Sequence, residues 1–276
     1  MKILIICNTM TYLSGSPLYN YTLAMELKNQ NHDVSIYSMW EPTQMLENLL
    51  ANKITTWYEK PTQNYDLVII SQAENKQILN NITFTRCINV IHSEYDCETP
   101  IINKHITSYI AIRPSIKQHL IDEHNLPAEK IKILYNGIDF NRFSIKNRNP
   151  NKNDFVKIVI PCTIDLLRIN FLNYYANRAN KNYQVFIYGK DYGNNFKHNQ
   201  YVHTYPEVFN IQDYILDADI VAGILLGRIN IEARAMGIVS YIHDPENPVK
   251  KEIFYPNYEE FKKRHDIINL AKNIII

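Results

Sequence analysis

The sequence predicts an α/β protein of two doubly wound, Rossmann-like domains facing a central cleft. Three observations carry this. Short apolar runs that read as buried parallel strands alternate with helical patterns in both halves of the chain. An apolar run, Ile133-Leu-Tyr135, breaks at Asn136-Gly137, near the middle of the 276 residues. A polar stretch, Ile145–Asp154, follows and has nothing to bury, so it reads as a linker. The expected domains are residues 1–144 and 145–276.

The elements follow in order. Lys2–Asn8 is a run of Ile, Leu, Ile, Ile and Cys, as in a strand covered on both faces. Ser14-Gly15-Ser16 is a loop, and Pro17 suits the first turn of a helix over Pro17–Gln30. Leu18, Thr22, Met25 and Leu27 give that helix its inner face. Asn31-His32 closes it, and Asp33–Tyr37 is the next strand. Strands over Tyr65–Ile70, Cys87–Ile91, Ser108–Ile112 and Lys132–Tyr135 continue the series. Helices are expected over Gln72–Leu79 and Pro114–His124. The second half repeats the pattern, with strands Val156–Pro161, Gln184–Tyr188, Ile220–Gly223 and Val239–His243. Its helices are Leu166–Asn180, Ile211–Ala218 and Asn230–Met236, and Tyr258–Ile274 reads as one or two more.

Composition excludes several classes. Hydrophobic residues make up 46% and charged residues 21%, as in an ordinary globular protein. The formal net charge is +1, so no global basic field favours nucleic acid. The longest apolar runs are too short to cross a bilayer. No A-x-A-like cleavage site follows the first run, which reads as a core strand and not a signal peptide. The four cysteines, Cys7, Cys87, Cys97 and Cys162, form no C-x-x-C pair and read as reduced thiols of a cytoplasmic protein. No P-loop, no G-x-S-x-G elbow and no metal-ligand spacing is present. Asp217-Ala-Asp219 spells D-x-D, but it bridges a helix end and a strand start and reads as structural.

Some residues suit chemistry by type and place. Ser14-Gly15-Ser16 precedes a helix, where backbone N–H groups and the dipole favour phosphate; a plain strand–helix turn is the simpler alternative. His92 follows a strand at its C-terminal end, where α/β sites lie. Glu94 and Asp96 stand close enough to orient it or to meet an acceptor. Arg113 follows the strand ending at Ile112 and is a basic candidate for the same region.

Three stretches together resemble one family. The first is the opening strand, small-residue loop, long helix and Asn-His-Asp-Val segment, residues 31–34. The second is Leu134-Tyr-Asn-Gly-Ile-Asp139 with Phe143, similar to a family "NGVD…F" motif. The third runs from Ala218-Asp-Ile-Val221 to Ile231-Glu-Ala-Arg-Ala-Met-Gly237, similar to "ADV…EAMACG". The chain resembles the GT-B glycosyltransferases, and within them the retaining family-four group.

The resemblance implies a metal-independent sugar transfer from a nucleotide-sugar, UDP- or GDP-linked, with no cofactor. It implies that Glu232 accepts hydrogen bonds from the nucleotide ribose and that His92 contacts the donor sugar. The candidate catalytic set is His92, which the resemblance implies, with Glu94 and Asp96 read from their place after it, where a solvated pair is the equal alternative. The candidate donor-side set is Gly15, Ser16, Arg113, Thr163, Arg168, Gly189, Gly227, Arg228, Asn230 and Glu232, of which Arg113 and Gly189 are read from their place at strand ends. Two positions depart from the family pattern. Ile224 stands where a second Glu is usual, and Cys162-Thr163…Arg168 stands where Gly-Arg…Lys clamps the diphosphate. Arg228 is placed to supply a compensating charge.

The expected acceptor is a glycan or lipid-linked glycan, with the protein cytoplasmic or peripheral at a membrane. Two alternatives stay open. One is a viral DNA glycosyltransferase acting on hydroxymethylated pyrimidines, with Lys146–Lys157 and Lys250–Arg264 contacting phosphates. The other is a non-catalytic nucleotide-sugar-binding protein, suggested by Ile224 and Thr163.

Overall fold

The structure is a computed structural model. It describes every residue except 12, 40–42, 58, 60, 72–75, 95–98, 194, 195, 197, 225, 226, 244–250 and 253–256, and at 39, 251 and 252 the backbone alone. Contacts divide the chain into two compact units, Met1–Gly137 with Arg264–Ile276, and Ile138–Lys263. The division falls at Gly137/Ile138 rather than after residue 144, and it returns the last helix to the first unit.

The first unit holds a sheet of seven parallel strands: β1 (Lys2–Thr9), β2 (Asp33–Met39), β3 (Thr55–Trp57), β4 (Asn64–Ser71), β5 (Thr83–Ile91), β6 (Ser108–Ala111) and β7 (Ile131–Ile133). Their order is β3-β2-β1-β4-β5-β6-β7. The chain therefore winds outward from β1 in one direction, then from β4 in the other. The fully buried run Ile3 to Ile6 makes β1 central, as its unbroken apolar sequence requires.

Helix α1 (Gly15–Asn29) buries Tyr19, Leu23, Ala24 and Leu27. It stops where Asn31 turns left-handed, with φ 63°, a conformation Asn tolerates. The His32 N–H then bonds back to Leu27 O at 3.1 Å. Helix α2 (Gln44–Ala51), capped by Thr43, and β3 are absent from the sequence expectation. Helix α3 (Pro114–Asp122) starts at the expected proline. Of the expected helix Gln72–Leu79, residues 72–75 lie outside the described set, and Lys76–Asn80 is a 3-10 turn.

The second unit holds β8 (Val156–Pro161), β9 (Tyr183–Tyr188), β10 (Val202–Tyr205), β11 (Ile220–Ile224), β12 (Val239–His243) and β13 (Lys251–Glu252). Their order is β10-β9-β8-β11-β12-β13, parallel except for β13. Helices α4 (Ile169–Ala176), α5 (Gln212–Ile215) and α6 (Arg228–Ala235) connect them. Helix α4 is shorter than expected. Asp165 Oδ1 accepts the Arg168 N–H at 3.0 Å and holds the preceding residues in a turn, leaving Leu166 78% exposed. The expected linker is bound along this unit. Arg148 donates to Gly237 O at 3.0 Å, and the Asn149 N–H donates to Leu216 O at 3.0 Å.

The tail forms two helices, α7 (Tyr258–His265) and α8 (Ile267–Ile275). Asp266 breaks them apart, its side chain accepting the Ile268 N–H at 2.9 Å as the cap of α8. Gly137 packs on α8. A Cβ there would lie 2.9 Å from Ile267 Cα, so the glycine of Asn136-Gly137 serves close backbone approach.

Candidate functional site

In doubly wound sheets, ligands bind beyond the C-terminal ends of strands where the winding reverses. The first unit reverses between β1 and β4, and the second between β8 and β11. Most of the sequence-predicted residues follow these strands.

In the first unit, β1 leads into the Ser14–Ser16 turn. Helix α1 has no acidic residue in its first turn, and Ser14 makes no side-chain cap. Its first N–H groups thus carry partial positive charge with no internal counter-anion. Gly15 is exposed, and a Cβ there would meet nothing within 4 Å. Ser16 Oγ is buried without a hydrogen-bond partner among the described residues.

His92 follows β5. Its Nε2 lies 3.3 Å from Ser71 Oγ at the end of β4, and Tyr19 of α1 packs edge-on at 4.8 Å. Burial, and then the Arg113 charge, push the imidazole from its ordinary 6.5 down to about 3. His92 is therefore neutral at pH 7. Arg113, which caps α3, forms an ion pair with Glu94. Burial raises the Glu94 carboxyl, but hydrogen bonds from Arg113 and Ser115 outweigh it and hold the group below the usual range. His92, Glu94 and Arg113 are thus brought together, while Asp96 lies outside the described residues.

His92 and His265 share a sign in their pH dependence. Burial brings His265 down to about 4. Below pH 6.5 the unfolded chain binds protons that the folded chain refuses at both rings. Stability is therefore full above about 6.5 and falls as pH drops toward these lowered values. Melting temperature between pH 6.5 and 4.5 is expected to decline more steeply in wild type than in a His92→Gln/His265→Gln variant. Equal slopes would contradict the assignment.

In the second unit, the turn after β8 carries Cys162 and Thr163, both partly exposed. Arg168 begins α4 and is paired with Asp165. Gly189, after β9, lies hard against this turn. A Cβ on it would stand 1.9 Å from Cys162 O and 3.1 Å from Thr163 N. After β11, Gly227 caps α6, and Arg228 Nε donates to Glu232 Oε1 at 2.6 Å. Their side chains are only 8% and 4% exposed, so this is a buried ion pair within the helix. The charge of Arg228 is committed to Glu232. Asn230 is fully buried and donates to Ser240 Oγ and Tyr241 O, both at 3.0 Å. It ties α6 to β12, with its carboxamide turned inward. The D-x-D carboxylates are also engaged. Asp217 pairs with Lys157 at 2.6 Å, and Asp219 accepts from Asn151 at 2.7 Å.

A cavity of about 370 Å³ opens beyond β9 and β10, lined by Ile164, Gly189, Lys190, Tyr205, Pro206 and Glu207 among others. Apart from Gly189, its lining escaped sequence reasoning. The signal was the short Tyr201-Val-His-Thr-Tyr205 run ending at Pro206. Among the described residues, no group of three or more His, Cys, Asp or Glu could hold a metal. No described helix is long and apolar enough to cross a membrane.

No protein-family model matches the chain, and no curated protein matches it in sequence. Solved structures do match. HepE of Anabaena, in complex with UDP-glucose, is similar over 100% of this chain and 98% of its own, with TM-score 0.70 and 12% identity. The lipopolysaccharide outer core galactosyltransferase WaaB is similar over 100% and 99%, with TM-score 0.61 and 13% identity. An α-glucosyltransferase in complex with UDP and a 13-mer DNA containing an HMU base is similar over 88% and 80%, with TM-score 0.62 and 10% identity. The two parallel-sheet units, their winding and these matches give the chain the GT-B fold.

Proposed function

We propose that the chain is a glycosyltransferase that moves a sugar from a UDP- or GDP-linked donor to a glycan or lipid-linked glycan. Transfer retains the anomeric configuration and proceeds in the cytoplasm without a metal or other cofactor. The observation that carries this reading is the end-to-end match to HepE, solved with UDP-glucose. The placement of chemistry at both winding reversals supports it. In the second unit, the cavity beyond β9 and β10 takes the nucleotide, and the start of α6 meets the ribose and phosphates through its N–H groups and Glu232. Arg228 neutralises Glu232, which lets an anionic nucleotide approach a buried carboxylate. Thr163 and Arg168 border the diphosphate, with Arg168 exchanging Asp165 for phosphate oxygens. In the first unit, neutral His92 contacts the donor sugar, and Glu94 and Asp96 serve the acceptor side.

The test is a panel of UDP-, GDP-, ADP- and CMP-linked sugars, read by thermal shift and by release of the nucleotide. A donor at about 100 times its Kd stabilises the folded chain by about 2.7 kcal/mol. One nucleotide class is expected to raise the melting temperature and to be released faster when a glycan acceptor is added. No shift and no release with any member would overturn the reading. A parallel arm offers duplex DNA with hydroxymethylated pyrimidines, and sugar appearing on that DNA would replace the glycan acceptor.

A further inference from the structure

We infer that Tyr205 and Glu207 make the cavity beyond β9 and β10 selective for a guanine base, so that the donor is GDP-linked. The inference rests on the proposed transfer from a nucleotide-sugar and names which nucleotide. Both residues line the cavity of about 370 Å³, a volume within the range of ligand sites.

Tyr205 offers a flat surface. It ends β10, the edge strand of its sheet, and stays 41% exposed. Its ring stacks on Tyr188 of β9 at 4.9 Å and 15°. It also lies parallel to Phe186 of β9 at 6.4 Å, with 1° between the planes. One face of the ring is thus turned to β9, and no strand stands beyond the other. A planar base extends such a stack, because every base has a π face. The support is tied down. The Gly189 N–H donates to Tyr205 O at 3.0 Å, and the Ile164 N–H donates to Lys190 O at 2.9 Å. Pro206 restricts the residue before it to extended backbone. The ring is therefore held before a ligand arrives, and little ordering is left to offset binding.

Glu207 chooses among bases. The other charged side chains of the lining are engaged. Lys190 holds its ammonium over the Tyr192 ring at 5.1 Å, and Asp191 accepts the Gly193 N–H at 2.9 Å. Glu207 is half-buried and makes no hydrogen bond or ion pair among the described residues. An ionised carboxylate only accepts, through two oxygens side by side. Guanine alone among the common bases presents two adjacent donors on one edge, the N1–H and the 2-amino group. Uracil presents one N–H between two carbonyl oxygens. Adenine and cytosine set an amino group beside an acceptor nitrogen. Two parallel charge-assisted bonds therefore form with guanine and not with the others.

The experiment is calorimetric titration of the full chain with GDP, IDP, UDP, ADP and CDP. IDP keeps the ring N1–H of GDP and lacks its 2-amino group. GDP is expected to bind at least about tenfold tighter than each of the others. Glu207→Gln sets one donor beside one acceptor, and is expected to shift the preference away from GDP and toward UDP. Tyr205→Ala is expected to weaken all five on the order of tenfold with their rank kept, and Tyr205→Phe to bind as wild type does. IDP, UDP, ADP or CDP binding wild type as tightly as GDP overturns the inference, and that result needs no variant to fold. A Glu207→Gln protein that loses affinity for all five alike would overturn the role of Glu207. Binding of none of the five overturns both the inference and the function on which it rests. A GDP preference in a chain that transfers no sugar would uphold the selectivity and overturn that function alone.

Discussion

Replacing Arg228 with methionine is expected to destabilise the second unit by about 3–5 kcal/mol, the usual cost of leaving one member of a buried ion pair behind. Arg228 and Glu232 sit one turn apart on α6, bonded at 2.6 Å with side chains 8% and 4% exposed. On the surface such an i,i+4 pair is worth only a few tenths of a kcal/mol. Burial changes the arithmetic. Without Arg228, the Glu232 carboxylate keeps its desolvation cost and loses its partner. Total stabilities of 5–15 kcal/mol make this a large fraction. Glu232→Gln is expected to cost less, because the amide oxygen still accepts from Arg228 while a buried cation remains. The double change Arg228→Met/Glu232→Leu should recover much of the loss, since neither charge is then stranded. Urea unfolding, fitted with one transition for each unit, measures this directly. A single-variant loss below about 1 kcal/mol would show that the pair is solvated in solution.

Gly189→Ala is the second large effect, expected at about 3 kcal/mol or more. The three atoms nearest the new Cβ would all be backbone of one peptide, with Cys162 O at 1.9 Å, Cys162 C at 2.5 Å and Thr163 N at 3.1 Å. No side chain can swing aside to relieve it. The ends of β8 and β9 must part, which also strains the hydrogen bond from Gly189 N–H to Tyr205 O at 3.0 Å. Thr163 and the cavity wall move with them, so affinity for any nucleotide that stabilises wild type should fall at least tenfold, or about 1.4 kcal/mol. Gly15→Ala is the control. A Cβ there meets nothing within 4 Å, and the change is expected to stay within about 0.5 kcal/mol. Melting temperatures of the two variants give the comparison, and a Gly189→Ala protein as stable as Gly15→Ala would refute the packing argument.

What could be seen in the sequence depended on how local the cause was. The buried run of β1 and the helix stop at Asn31-His32 are written in adjacent residues and were visible, though the left-handed turn of Asn31 was not. So were the strand ends that carry His92, Thr163 and Gly227. Helix α2 was missed although Thr43 caps it and Met45, Leu46 and Leu49 fill its inner face. The segment is short, and its propensity alone did not separate it from a loop. Strand β10 was missed because four residues at a sheet edge carry little periodicity. The Arg228–Glu232 spacing could be read, but its burial could not. Gly189 was recognised by position only, because its necessity comes from the register of β8 against β9. That the Asn230 Nδ2 group holds α6 to β12 while its Oδ1 finds no partner among the described residues could not be read from sequence. The polar stretch after Ser144 looked like a free tether, but hydrogen bonds fasten it to the second unit.

The return of Arg264–Ile276 to the first unit makes the second unit an insertion within the first. Helix α8 packs on α1, and Gly137 fits against Ile267, so the first unit contains contacts spanning most of the chain. During synthesis the whole of Ile138–Lys263 emerges before the residues that cover this face of α1 exist. The order of completion is therefore inverted. The inserted unit has all its sequence first, while the unit that begins at the N-terminus closes last and pays the larger loop-closure entropy.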